Sequence, residues 1–351
     1  MEVKYFKSYD IAKKLPFVSI IIPMYNEELY IKDCLLSLIN QDYPKDKYEI
    51  IVVDGNSEDN SKKIVNDLIK KYSFIKLFDN IKRITPIAFN IGIDKAKGEI
   101  ICIFGAHATY EKDYISTSIY LLNNVKASCV GGFTEVVGKN YVSNAISYAM
   151  SSIFGVGNAY YHFSNKEMYV ESVFAGVYKK SELLKLNKYD EKYIIGQDYE
   201  INYRIRENGG KIYYSPKIRS KYVARSSLKK FAKQRYIYGL WKVKTLIDHP
   251  NSLAYRHLIP PTFVIFLVIS LIMLFFNLRL GLIIPTIYII TNIFFSMKIS
   301  LKKGLKYIFI LPLTFAVMNI SWGVGFLCGL KKYGIPKINT KIILNIFNNV
   351  K

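Results

Sequence analysis

The sequence predicts an α/β fold with a mainly parallel sheet, followed by C-terminal helices that lie in a membrane. Apolar, β-branched runs alternate with helical patterns from Phe17 to Phe104, which is the order expected of a parallel sheet covered by helices on both faces. Apolar runs of membrane length then follow His257. A net charge of +22 also favours an anionic neighbour such as a membrane surface.

The strands of the parallel half are predicted from short apolar runs. Residues 17–23 (FVSIIIP) and 48–54 (YEIIVVD) are nearly continuous runs, typical of strands buried on both faces. A shorter strand is expected at 75–78 and a fourth at 100–104 (IICIF). The spacing between the four runs leaves room for a helix after each of the first three.

Helices are predicted in these gaps from the spacing of apolar residues. Residues 28–40 and 60–71 show helical periodicity, and Asn60 is a candidate N-cap of the second helix. Pro86 marks the first turn of a third helix, since proline is tolerated there. Gly98 is the expected end of that helix.

The following segment is less regular. Strands are expected at 128–134, 171–178 and 211–214, and a helix at 198–207 is closed by two glycines. Residues 144–161 are rich in aromatic side chains and broken by glycines, which favours a mobile or interfacial segment.

The C-terminal third predicts a membrane region. Ser226 or Ser227 caps a basic amphipathic helix near 227–241, a pattern typical of helices on a membrane surface. Three apolar runs near the length of a bilayer span follow. The alternative, three buried helices of a soluble domain, would need a small chain to hide helices that are apolar all round.

The predicted domains are a cytoplasmic catalytic domain at 1–245 with its core at 17–225, a membrane region of about three helices at 258–330, and a basic tail at 331–351.

The orientation of these spans presents a conflict. Three spans that start in the cytoplasm would put Lys331 and Lys332 outside, against the preference of lysine for the cytoplasmic side. A re-entrant segment, either at Pro260 and Pro261 or at Pro285, would remove the conflict over Lys331 and Lys332.

Several classes of protein are disfavoured. No helix-turn-helix, zinc-finger or RNA-recognition signature accompanies the positive charge, so nucleic acid is not the expected partner. The four cysteines form no CxxC pair, which argues against a zinc site or a disulfide framework. The charged N-terminus lacks the apolar core of a signal peptide, so we expect the first domain to stay in the cytoplasm.

Polar clusters follow three of the predicted strands, at residues 25–27, 54–57 and 105–107. In parallel sheets ligands bind beyond the carboxyl ends of the strands. With their flanking residues, IIIPMYNEE, VVDGNSEDNS and RITPIAFNIGIDKAKGEIICIF, these clusters resemble the family 2 glycosyltransferases, which have the GT-A fold. The resemblance covers about residues 17–241. It is strongest to membrane-anchored polysaccharide glycosyltransferases of the succinoglycan type, which also carry patterns like DYEINYRIRENGG before C-terminal membrane helices.

The resemblance implies a nucleotide-sugar donor, in particular a UDP-sugar. Pro23 would turn the chain over the donor, Tyr25 would lie near the base, and Glu27 would accept hydrogen bonds from the ribose. An ordinary strand-to-helix turn is the alternative for this segment. Asp54 would accept a hydrogen bond from the uracil imide. Its alternative is a loop carboxylate that caps Asn56 or Ser57.

Two further residues fall in the segment that shapes the donor pocket in the family. Arg83 is either a donor contact or a solvated loop cation. Asn90 either contacts the donor or makes a structural hydrogen bond.

The sequence departs from the family at the metal motif. An Asp-x-Asp or Asp-Ala-His is usual after the fourth strand, and here Gly105 replaces the first acid. His107 matches the last residue, which would make it a ligand of Mn²⁺ or Mg²⁺. A phosphate contact or a structural histidine is the alternative, so metal dependence stays open.

The catalytic base is expected in YIIGQDYEINYRIRENGG, which resembles the family's Glu-Asp motif at a helix start. Asp198 matches the base, and Gln197 replaces the acid before it. The helix N-terminus would favour its ionised form. A simple N-cap is the alternative. Glu200 and Arg204 either orient the site or pair with each other.

The predicted function is an inverting transfer of a sugar to a lipid-linked or saccharide acceptor in cell-surface polysaccharide synthesis. The expected location is the cell membrane, as a multi-pass protein with a cytoplasmic catalytic domain, with other polysaccharide-assembly enzymes as further partners. The alternative is a metal-independent or inactive GT-A membrane protein that binds a nucleotide sugar without turnover.

Overall fold

The structure is a computed structural model that describes residues 15–157 and 162–338. The N-terminal segment, the end of the aromatic-rich segment and most of the basic tail lie outside the described residues. The described residues fall into two compact units, one made of 15–135 and 162–222 and the other of 136–157 and 223–338. The domain ranges expected from the sequence remain predictions.

Nine strands are present among the described residues: β1 Val18–Met24, β2 Tyr48–Asp54, β3 Ile75–Asp79, β4 Ile100–Ile103, β5 Ala108–Tyr110, β6 Cys129–Val137, β7 Met168–Val170, β8 Val177–Lys179 and β9 Ile212–Val223. The helices are α1 Ile31–Ile39, α2 Ser61–Ile69, α3 Thr85–Lys95, α4 Tyr114–Asn124, α5 Tyr141–Met150, α6 Ile153–Val156, α7 Lys180–Lys185, α8 Gln197–Glu207, α9 Leu228–Asp248, α10 Ile259–Met273, α11 Leu278–Lys303 and α12 Ile310–Tyr333.

One sheet contains all nine strands, in the order β3-β2-β1-β4-β8-β6-β9-β5, with β7 paired to β9. β1 lies between β2 and β4 and is parallel to both, and β2 is parallel to β3. β8 continues the sheet antiparallel to β4. The predicted α/β class with a parallel sheet is therefore confirmed, and the later strands add antiparallel pairs.

Apolar side chains fill both faces of this sheet. Ile20 and Ile22 contribute to one core cluster, together with side chains of α1 and α2, and Ile21 contributes to the other, with side chains of α3. This alternation is the two-residue period of a strand. Each such isoleucine is fully buried, which stabilises the fold by about 1.5–3 kcal/mol per side chain.

Three local predictions are wrong. A single strand at 171–178 is not formed; β7 and β8 flank an irregular stretch, because Ala175 has a φ of 51°, which a strand excludes. Gly98 does not end the third helix, which stops at Lys95. Asn60 precedes α2 but makes no side-chain cap, because its amide donates to Glu28 instead.

The described part of 144–161, the segment expected to be mobile or interfacial, contains α6 and most of α5. The expectation itself stays a prediction. β5, α4 and α7 were not predicted from the sequence, and β9 extends well past the strand expected at 211–214. β5 and α7 are too short for a clear periodicity.

The second unit contains the basic helix and the apolar helices. Ser227 caps α9, accepting a hydrogen bond from the Lys230 N–H at 3.3 Å. Glycines let α9 and α12 approach closely: a Cβ at Gly239 would lie 2.1 Å from the carbonyl oxygen of Trp322. One at Gly325 would lie 2.0 Å from that of Tyr236. α9 thus packs one of its faces on α12.

Three of the described helices are long and apolar enough to cross a membrane: Tyr255–Met273, Leu278–Lys303 and Ile310–Tyr333. α11 continues without a break through Pro285, so the structure shows no re-entrant turn there. The first of these spans, α10 with the turn before it, has 19 residues and is the shortest of the three. Its length is about 28 Å at 1.5 Å per residue, close to a ~30 Å hydrocarbon core.

Gly98 is a site of close backbone approach, and this generates a stability prediction. A Cβ there would lie 2.6 Å from the backbone nitrogen of Ser19 and 2.7 Å from the carbonyl oxygen of Phe17. Gly98→Ala should therefore destabilise the protein by about 1–3 kcal/mol, seen as a lower midpoint of thermal unfolding. Gly105→Ala is the matched control, since no atom lies within 4 Å of that Cβ. Equal midpoints for the two variants would contradict the prediction.

Candidate active site

The carboxyl ends of β1 and β2 meet at one edge of the sheet. Met24 pairs with Asp54, the last residue of β2. The two following loops are joined by hydrogen bonds: the Asn26 N–H donates to the Ser57 hydroxyl at 3.0 Å, and the Glu58 N–H donates to the Asn26 side-chain oxygen at 2.9 Å. The polar clusters at 25–27 and 54–57 therefore form one surface.

Tyr25 and Arg83 form a cation–π pair on this surface, called here the Tyr25–Arg83 platform. The Arg83 guanidinium lies over the Tyr25 ring at 5.3 Å and donates to its hydroxyl at 3.3 Å. It also pairs with Glu58 at 2.9 Å, so Arg83 is not a freely solvated cation. Tyr25 is 44% exposed, which leaves ring surface on which a planar base could stack.

Asp54 is fully buried beneath this surface. Its carboxylate accepts hydrogen bonds from the Ser57 N–H at 3.1 Å and the Ser57 hydroxyl at 2.6 Å. These hydrogen bonds match the alternative in which Asp54 caps its own loop at Ser57. Recognition of uracil by Asp54 remains a prediction.

Asn90 is buried in α3, and its amide is used by the backbone of Tyr189. The side-chain NH₂ donates to the Tyr189 carbonyl at 2.9 Å, and the side-chain oxygen accepts from the Tyr189 N–H at 2.9 Å. These two bonds match the alternative in which Asn90 has a structural role. They tie α3 to the segment that precedes α8.

His107 lies in the turn before β5 and contacts Glu27. Its Nδ1 is 3.1 Å from the Glu27 Oε1. The ring also has an edge-on contact with Tyr222, at 5.1 Å between centroids. The space around Gly105 is open, since a Cβ there would have no neighbour within 4 Å.

Asp198 lies in the first turn of α8, after Gly196 in the left-handed conformation. Burial raises the pKa of the Asp198 carboxyl to about 6. No hydrogen bond to this carboxylate is made within residues 15–157 and 162–338. Desolvation therefore outweighs the helix N-terminus expected to favour ionisation. A carboxylate with this pKa suits proton abstraction near neutral pH.

The profile of Glycosyl transferase family 2 matches residues 19–181. A Methanococcus voltae protein, dolichyl N-acetyl-alpha-D-glucosaminyl phosphate 3-beta-D-2,3-diacetamido-2,3-dideoxy-beta-D-glucuronosyltransferase, is 34% identical over 328 residues, covering 90% of this chain and 98% of the relative. The chain belongs to glycosyltransferase family 2.

Two other comparisons are consistent with this family 2 assignment. The succinoglycan biosynthesis protein ExoA of Rhizobium meliloti is 24% identical, over 69% of this chain and 73% of its own length. The mannosyltransferase PcManGT of Pyrobaculum calidifontis, solved with GDP-Man and Mn²⁺, has a TM-score of 0.59 at 17% identity, over 94% of this chain and 92% of its own. The second likeness shows the fold alone and confirms the GT-A prediction.

The described residues of this glycosyltransferase do not form a metal site by themselves. No three His, Cys, Asp or Glu side chains are grouped as metal ligands in the described parts of the chain. Glu27 and His107 provide one carboxylate and one imidazole, with open space at Gly105. This donor set fits a divalent cation only if donor phosphates complete its shell.

Glu200 and Arg204 pair with each other, which was one of the two expected outcomes. Glu200 is buried, and the Arg204 guanidinium lies 2.8 Å from its carboxylate. Arg204 also donates to the carbonyl oxygens of Leu186 and Lys188, at 2.6 and 2.8 Å. The pair thus anchors a loop to α8. The sequence signalled the pair through its i,i+4 spacing, but nothing local signalled Tyr189 or the Glu27–His107 contact.

Asn90→Ala should separate the two roles of Asn90. Removing the amide leaves two buried backbone groups of Tyr189 without partners, so we expect a loss of about 1–3 kcal/mol of stability. The KM for the donor should change less than about twofold, since the amide is already used by Tyr189. Thermal unfolding and donor titration measure the two effects. A large rise in KM without a change in unfolding midpoint would instead assign Asn90 to the donor.

Proposed function

We propose that this family 2 glycosyltransferase transfers a sugar, with inversion, from a UDP-sugar to a lipid-linked saccharide in the synthesis of a cell-surface polysaccharide. The observation that carries the proposal is the match to the Methanococcus voltae enzyme over 98% of its length. The name of that enzyme specifies a sugar phosphate carried on dolichol as acceptor. The chain's own apolar helices suit an acceptor that resides in a bilayer.

The donor would bind at the edge formed by β1 and β2. The Tyr25–Arg83 platform offers a stacking surface for the base. Pro23 lies in β1 next to this edge, paired with Val53 of β2. Asp54 would accept a hydrogen bond from the uracil imide. Binding of the base to Asp54 would compete with the hydrogen bonds from Ser57.

Asp198 would act as the general base. Its carboxylate takes the proton of the acceptor hydroxyl while that oxygen attacks the anomeric carbon. The bond from the anomeric carbon to the diphosphate breaks on the opposite side, and UDP leaves. The pKa of about 6 means that Asp198 is mainly ionised at neutral pH, yet basic enough to accept a proton.

The negative charge that develops on the leaving diphosphate needs a counter-charge. A divalent cation, Mn²⁺ or Mg²⁺, would supply it when bound. His107 is the candidate ligand, and its ring is oriented by Glu27 and Tyr222.

The protein would reside in the cell membrane with its catalytic unit on the cytoplasmic side, where nucleotide sugars are made. Lys298, Lys302, Lys303 and Lys306 lie between or at the ends of α11 and α12. Their number favours the cytoplasmic side for this connection.

Asp198→Asn should lower kcat by about 10²–10⁴, because the amide cannot accept the proton. Its affinity for UDP should stay near that of the wild type. For the wild type, kcat/KM should fall about tenfold per pH unit below about 6, because protonation inactivates the base as the pH falls through its pKa. A transfer assay with labelled donor measures both.

Asp67→Asn is the matched control, since Asp67 is an exposed carboxylate in a surface ion pair with Lys70. Its kcat should be unchanged. Transfer by Asp198→Asn at the wild-type rate would rule out Asp198 as the base.

The proposed reaction and its sidedness can be tested in sealed membrane vesicles. A panel of labelled UDP- and GDP-sugars is supplied with a dolichyl-phosphate-linked saccharide in the bilayer. We expect transfer from a UDP-sugar in inside-out vesicles and little in right-side-out vesicles, because nucleotide sugars do not cross the bilayer. Donor binding without transfer for every sugar would favour the inactive alternative.

A further inference from the structure

We propose that Glu27 replaces the acid that is absent at Gly105, so that Glu27 and His107, together with the donor diphosphate, hold a divalent cation. This inference rests on the proposed function, since it needs a nucleotide diphosphate as the third partner. It gives Glu27 a metal-binding role in place of the ribose contact expected from the sequence. It also accounts for a family 2 chain in which the usual Asp-x-Asp or Asp-Ala-His is incomplete.

The separation of the two side chains suits adjacent metal ligands. Glu27 Oε1 and His107 Nδ1 are 3.1 Å apart. Two ligands in neighbouring positions of an octahedron with bonds of ~2.1 Å are ~3.0 Å apart. A carboxylate and an imidazole are both ligands that Mn²⁺ accepts. The pair could therefore bind a cation with little movement of either side chain.

The pair is held by two separate parts of the fold. The Glu27 N–H donates to the Ser61 hydroxyl at 2.7 Å, and the Glu27 carbonyl accepts from the Ile31 N–H at 2.9 Å at the start of α1. His107 precedes β5, whose Ala108 pairs with Tyr222 of β9. The two ligands are thus held by separate parts of the sheet, the loop after β1 and the turn before β5, which limits the entropy lost when a cation binds.

Both side chains remain reachable from outside. The side chain of His107 is 29% exposed and that of Glu27 is 20% exposed. The open space at Gly105 adjoins this pair along the chain and would accommodate phosphate oxygens or water. Phosphate oxygens or water molecules would be the remaining ligands of an octahedral shell.

The backbone at Gly105 makes the replacement testable. Its N–H donates to the Tyr110 hydroxyl at 2.9 Å, which fixes its orientation, while a Cβ at this position would meet no atom within 4 Å. The side chain of an aspartate at residue 105 would therefore begin in open space. If Glu27 supplies the missing acid, Gly105→Asp should compensate for the loss of Glu27.

The experiment measures Mn²⁺ binding to the full-length protein in nanodiscs by electron paramagnetic resonance, with Mn²⁺ alone and with Mn²⁺ plus UDP. Wild-type protein should bind Mn²⁺ tightly only when UDP is present. Glu27→Gln should raise the Kd for Mn²⁺ at least about tenfold. The double variant Glu27→Gln/Gly105→Asp should restore the Kd to within about threefold of the wild type.

Glu28→Gln is the matched control. Glu28 is the neighbouring carboxylate, but it accepts hydrogen bonds from Asn60 and does not contact His107 within the described chain. Its Mn²⁺ affinity should equal that of the wild type. Binding of UDP without metal, followed for every variant, reports whether the donor site is still folded.

Two outcomes would overturn the inference: wild-type affinity for Mn²⁺ in Glu27→Gln, or no UDP-dependent Mn²⁺ binding in the wild type. In the second case, transfer that persists in EDTA would leave the proposed function intact and remove only the metal. Conversely, loss of Mn²⁺ binding in Glu27→Gln with rescue by Gly105→Asp, but no transfer from any donor, would keep the inference and reject the proposed reaction.

Discussion

The parallel pairing of β1 with β2 and β4 determines which residues come together in the candidate active site. Because Met24 pairs with Asp54, the loops that follow the two strands begin side by side and can share hydrogen bonds. The parallel pairing of β4 with β1 then brings the turn that holds His107 to the same edge. A parallel pair can be stable only when both faces are covered. The buried isoleucines of β1 and the helices on either face are therefore part of the same requirement.

The carboxylates of Asp198 and Glu200, both in the first turn of α8, have different surroundings. Glu200 is buried but paired with Arg204, and the pair also satisfies two carbonyl groups of a neighbouring loop. Asp198, two residues earlier, has no such partner in the described chain, and desolvation raises its pKa to about 6. One carboxylate of α8 is thus part of an ion pair that ties down a loop, and the other has the raised pKa that is typical of candidate proton acceptors.

The second unit combines close backbone approach with an apolar cluster that includes Trp322 and Phe326. Gly239 on α9 and Gly325 on α12 allow the two helices to touch at positions where any Cβ would clash. The apolar side chains of α10 and α11 remain largely exposed in the structure. Such an exposed apolar surface is stable in lipid and unstable in water. The basic residues of α9 thus lie on a helix that packs against α12 at Gly239.

The sequence by itself determined the fold class, the first strands and helices, the three apolar helices and the family. These features depend on periodicity and on local motifs, which a chain carries whatever its partners. It left open whether Asn90 and Asp54 serve the donor or the structure, and it missed the short β5 and α7. The tertiary structure decided that Asn90 holds Tyr189, that Arg83 lies on Tyr25 and that Glu27 contacts His107. Such contacts join residues distant in sequence, and the burial that raises the pKa of Asp198 is likewise a property of the folded chain alone.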